Sequence, residues 1–144
     1  MFGSFSKTDF ERIQMLYKFS RQVSLKDVQH IIRKIKTRTF EPSSYLFREN
    51  SLKQDIFLIR KGIVREFILN ENGEEITTNI LAENEIVVNW DLIFFEQPSR
   101  RYFQAYEKTK VFTMDFPELD NFISSNPKLD TNRKFYFRKQ LRKF

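Results

Sequence analysis

The chain has 144 residues, 40% hydrophobic and 16% aromatic, with 17 phenylalanines against three glycines. That excludes a disordered chain and allows one domain with a core of large rings. There is no cysteine and one histidine, His30, which excludes disulfides and thiolate metal sites and leaves no basis for a multi-histidine centre or a histidine-based triad. Net charge is +6, and all of the excess lies in residues 128–144, where seven lysines and arginines face Asp130 alone.

Residues 8–19, "TDFERIQMLYKF", predict a short helix capped by Thr8, with Phe10, Ile13, Leu16 and Tyr17 on one face. A second helix starts at "SLKD", where Ser24 and Asp27 have capping-box spacing and Leu25, Val28, Ile31, Ile32 and Ile35 form a stripe. His30 falls on the other side of that stripe and reads as a surface residue.

From Lys36 the period changes from helical to alternating. "TRTFE" and "YLFRE" predict strands around the turn "EPSS". "DIFLIR" and "IVREFIL" flank a tight reversal at Gly62, and "NENG" predicts a hairpin with positive φ at both Asn72 and Gly73. "EEITTNIL" and "EIVVN" continue the run, and "DLIFF" reads as a single helical turn. "RYFQAYE" and "KVFTMDF" close the strands around a turn near Lys108. "FPELDNFISS", with Pro117 in its first turn, predicts a helix that Asn126-Pro127 ends. The fold class is therefore mostly β with flanking helices, an all-β roll or barrel, with a jelly-roll-like β-roll (double-stranded β-helix) as the expected form.

No apolar run approaches membrane-spanning length, and the first residues lack the basic-then-apolar layout of a signal peptide. The expectation is a cytoplasmic protein with no membrane span. A small β-barrel enzyme of cupin type would have only carboxylates to hold its metal. No catalytic and no metal-binding residue is assigned.

Helices, a roll and helices again, in this order, resemble the cyclic-nucleotide-binding domain of catabolite-activator-like (Crp/Fnr) transcription regulators. The residues that carry the resemblance run from about Val23 to Pro127: "SLKDVQHIIRKIKTRTFEPSSYLFREN", "DIFLIRKGIVREFI", "NGEEITTNILAENEIV" and "QPSRRYFQA". The resemblance implies a sensor domain over 1–127 and the start of a C-terminal dimer helix over 128–144. It further implies phosphate, or another anion, held by Arg100 with Ser99 and Arg101, and ribose-type hydroxyls held by Glu85. The implied ligand is a cyclic nucleotide or another small anion.

Three departures stand beside these assignments. Asn84 occupies the position of the family's glycine, the segment from Glu85 to Arg100 is longer, and Arg100 sits one strand position away, so that Arg101 or neither points inward. On the bland alternative, Glu85 is a surface carboxylate and both arginines pair with Glu96 or Glu107.

In the family the helix after the roll pairs with its copy and leads to a winged helix-turn-helix. Phe137, Leu141 and Phe144 have the spacing of such a seam, and seventeen residues make a helix of about 25 Å. A homodimer is therefore expected, with DNA read only through a C-terminal domain missing from this chain. The alternative is a stand-alone partner-binding or dimerisation domain with a filled pocket. The basic tail is either a solvated continuation of the dimer helix or a contact for nucleic-acid phosphates or an anionic membrane surface.

Overall fold

The computed structural model describes residues 24–125, together with Lys7, Asp9, Glu11 and Arg12. Most of the helix expected at 8–19, and all of the expected dimer seam at Phe137, Leu141 and Phe144, lie outside the described residues. The chain forms two compact units, one from residues 1–36 with 116–144 and the other from Thr37–Asp115.

In the first unit, α1 spans Leu25–Ile31. Its start is set by the expected capping box: Ser24 Oγ accepts the Asp27 amide and the Asp27 carboxylate accepts the Ser24 amide, both at 3.2 Å. The stripe continues past the helix. Residues Ile32–Lys34 tighten into a 3₁₀ turn, whose three-residue spacing keeps Ile32 and Ile35 on the buried side with Val28 and Ile31. α3 spans Phe116–Ser124 and buries Leu119. His30 is exposed, as expected, and stacks on Phe122 of α3 with ring centroids 6.4 Å apart. Lys34 Nζ lies 3.8 Å from the Glu118 carboxylate in the same unit.

The second unit is the roll. Its strands are β1 (Lys36–Phe40, whose first residue belongs to the other unit), β2 (Tyr45–Phe47), β3 (Asp55–Lys61), β4 (Val64–Leu69), β5 (Glu75–Leu81), β6 (Ile86–Val87), β7 (Tyr102–Ala105) and β8 (Thr109–Asp115). One six-residue helix, α2 (Trp90–Phe95), lies between β6 and β7. The strands form two four-stranded sheets, ordered β1-β8-β3-β6 and β2-β7-β4-β5. Between the sheets lie Phe40, Leu46, Phe47, Phe57, Ile59, Val64, Leu81, Val87, Phe103, Ala105 and Val111, all buried. Phe47 meets Phe57 and Phe103 edge to face, at 5.4 and 5.8 Å, and Phe40 meets Phe57 at 5.5 Å. Rings therefore occupy the inter-sheet space, as the phenylalanine count suggested.

Two turns set the register. At Gly62 φ is +117°, and a Cβ there would lie 2.4 Å from Thr109 Oγ1 and 2.7 Å from Thr109 Cα. Both the conformation and the space exclude a side chain. The "NENG" turn differs from the expectation, because only Gly73 has positive φ (+76°) and Asn72 does not. The reason is Asn70, whose Oδ1 accepts the amides of both Asn72 and Glu74 at 2.9 Å. Its carbonyl accepts the Gly73 amide, so the reversal needs one left-handed residue, not two.

β4 and β7 pair Val64 with Ala105, Arg65 with Gln104, Glu66 with Phe103 and Phe67 with Tyr102. Residues paired across the ladder share a face. Val64, Phe103 and Ala105 are core, so the other face carries Arg65, Phe67, Tyr102 and Gln104. There Phe67 stacks on Tyr102 at 4.8 Å, nearly parallel. The Arg65 guanidinium lies 4.1 Å above the Phe67 ring, and that of Arg48 lies 4.2 Å above Tyr45. Phe67 is thus fully buried on the face away from the core.

Candidate functional site

The stretch from the turn before β6 to the start of β7 carries every residue assigned to a ligand. Asn84 closes a turn at Ala82–Glu85 with φ +70°. Asparagine tolerates this left-handed conformation, so the glycine-like backbone survives the loss of glycine. The Asn84 amide donates to the Ile59 carbonyl, and the Ile59 amide to the Glu85 carbonyl, at 2.8 and 3.0 Å, which ties the turn to β3. Glu85 itself is exposed, and its carboxylate accepts the Ala82 amide of its own turn at 3.2 Å. Its local role is to cap that turn.

α2 begins at Asn89, whose Oδ1 accepts the Leu92 amide while its Nδ2 donates to the Ser51 carbonyl at 2.9 Å. Asp91 follows and is 2% exposed. Its Oδ2 accepts the Arg100 amide at 2.9 Å, and its Oδ1 accepts Arg100 Nη2 at 3.2 Å. Arg100 therefore clasps the α2 side of its own loop, and its side chain is 62% exposed. The partner is Asp91, and not the Glu96 or Glu107 of the surface alternative. A buried carboxylate nine residues upstream holds Arg100 by backbone and side chain together.

Ser99 is buried, and its polar atoms are all engaged. Its hydroxyl donates to the Arg101 carbonyl and accepts the Arg101 amide, its amide donates to Ser51, and its carbonyl accepts from Asn50. Arg101 is half-buried and takes part in further interactions. Ser99, Arg100 and Arg101 are thus brought together with Asp91, whereas Glu85 sits in a separate turn before β6.

Asn89 and Asp91, the residues that organise the segment, were not singled out from the sequence. The available signal was a carboxylate inside an apolar run, "NWDLIFF", with an arginine nine positions later. Among the described residues no group of three metal-binding side chains is placed to hold an ion. No described helix is long and apolar enough to cross a membrane.

On the far face of the same sheet, Tyr102 donates its hydroxyl to Glu49 at 3.1 Å. Burial and this carboxylate push the phenol's pKa up.

A two-sheet roll interrupted by one short helix, with a polar loop leading into β7, is an all-β binding-domain architecture, and comparison with known proteins places it in a family. The profile of the cyclic nucleotide-binding domain matches residues 37–126, and the chain belongs to that family. Its relatives include Crp/Fnr-type regulators. An anaerobic regulatory protein of Haemophilus influenzae is 28% identical over 92 residues, covering 64% of this chain and 35% of that protein. The chain thus spans about a third of that relative. The sensor domain of the regulator DNR from Pseudomonas aeruginosa superimposes with a TM-score of 0.75 at 14% identity, covering 91% of this chain and 87% of that one. The Thermus thermophilus catabolite activator protein does so with a TM-score of 0.69 at 20% identity, covering 88% and 58%. The family is one of regulatory binding domains.

Proposed function

We propose that the chain is the ligand-sensing module of a Crp/Fnr-type transcription regulator, and that its ligand is not a cyclic nucleotide. It works in the cytoplasm as a homodimer through residues 128–144, and DNA is read by sequence outside this domain. The single observation behind the ligand assignment is the use of Arg100. A phosphate would have to draw its guanidinium from a buried carboxylate that accepts one hydrogen bond from Nη2 and another from the Arg100 backbone amide, and the desolvated Asp91 would be left beside the incoming anion. Homology to a regulator supports the rest.

The test is a titration of the whole chain with cyclic AMP, cyclic GMP and a library of small metabolites, read by thermal unfolding. A ligand at a hundred times its Kd stabilises by about 2.7 kcal/mol. No shift with either cyclic nucleotide, and a saturable shift with another compound, is the expected result. A saturable rise with cyclic AMP refutes the assignment.

A second reading is favoured by the ring packing of Phe40, Phe47, Phe57 and Phe103: a partner-binding domain with its interior filled. Failure of the whole library to bind would select it.

A further inference from the structure

Glu66 lies opposite Phe103 on β7 and Asn79 on β5, on the ladder face whose Val64, Phe103 and Ala105 are core. Its side chain is therefore on the inner side of the roll, and the residue is 8% exposed. Thr78 Oγ1 donates to Glu66 Oε2 at 2.5 Å and lies 3.3 Å from the Glu66 carbonyl. A carboxylate offers about four acceptor positions, and Thr78 fills one.

Among the described residues no cation is paired with Glu66. Arg48 and Arg65, the arginines of this sheet's cation–ring contacts, lie over Tyr45 and Phe67, and Arg65 also pairs with Glu75. A buried carboxylate without a cation is costly to maintain.

Two further observations bear on this interior. Thr113 of β8 is opposite Phe57, a core residue, and its hydroxyl is buried with no hydrogen-bond partner. β5 is the edge strand of its sheet. Its inner-face residue Asn79 is exposed, and Ile76, paired with Ile68, is 44% exposed. The inner face is therefore open to solvent along β5, next to the carboxylate.

We infer that the roll takes a small organic cation, bearing a protonated amine or guanidinium, with Glu66 as its acceptor and Thr78 as the residue that positions the carboxylate. The inference rests on the sensor reading above and names the ligand class of that site. A lone, partly desolvated carboxylate beside an exposed strand edge attracts such a group and repels phosphate.

The test titrates the whole chain with agmatine and putrescine as cationic probes, and with inorganic phosphate and cyclic AMP as anionic ones. Binding is read by thermal shift and by NMR of the Ile68 and Leu81 methyl groups. The cationic probes are expected to raise Tm saturably and to move those methyls. Glu66→Gln should weaken the effect at least tenfold, and Glu71→Gln, at the exposed hairpin tip, should leave it unchanged. Thr78→Val, which keeps the shape of the threonine, should weaken it several-fold and carries the test if Glu66→Gln does not fold. An equal response in parent and Glu66→Gln (in Thr78→Val, if Glu66→Gln does not fold), or binding of anions alone, overturns the inference and leaves the sensor reading standing. Response to neither class also overturns the inference and leaves the sensor reading to the wider library.

Discussion

Arg100 illustrates how one side chain is decided by a neighbour that spacing does not reveal. Read alone, an arginine after Pro98-Ser99 is free to face inward or outward. Asp91, 2% exposed, takes its amide and its guanidinium together. A prediction follows at this scale. Arg100→Ala should lower stability in the absence of any ligand by about 1–3 kcal/mol, because a buried carboxylate loses its charged partner while solvent reaches the exposed arginine and screens part of the effect. Urea unfolding measures it. An unchanged midpoint would mean that the pair contributes nothing and that Arg100 is free for a ligand after all.

At the scale of elements, the two glycine turns separate conformation from space. Gly62 has φ +117° and no room, because a Cβ would meet the Thr109 side chain, the Thr109 backbone and the Lys108 carbonyl. Gly73 has φ +76° and open space around it. Gly62→Ala is therefore expected to cost about 2–4 kcal/mol, from backbone strain plus displacement of β8. Gly73→Ala should cost about 1–2 kcal/mol, from strain alone. Thermal unfolding of the two variants side by side checks the order, and equal losses would show that the Thr109 approach is soft. The same scale explains why strand assignment succeeded and face assignment did not. In "IVREFIL" each set of alternate positions holds one charge, Glu66 or Arg65, so period alone cannot choose the inner face. The ladder to β7 chooses, by placing Val64 against Ala105.

For the whole molecule, the proposal requires two copies. On that proposal Phe137, Leu141 and Phe144 carry the pairing, and the surplus charge of the chain lies in the same residues 128–144. Leu141→Glu combined with Phe137→Glu should convert a dimer to a monomer in light scattering without changing the unfolding of the roll. A dimer that persists would move the interface elsewhere.

Length, aromatic content and the change of period from helical to alternating at Lys36 determined the class of fold. They did so because hydrophobic repeat and turn chemistry are local properties of a chain. The capping box at Ser24, the reversals at Gly62 and at 70–73 and the short helix before β7 were legible for the same reason. The positions of the ligand-assigned residues were not. Whether Arg100 meets Asp91, whether Glu66 points inward, and whether β5 is an open edge all depend on contacts across tens of residues and on strand order. Two sheets had to close on each other before any side chain had an inside to face.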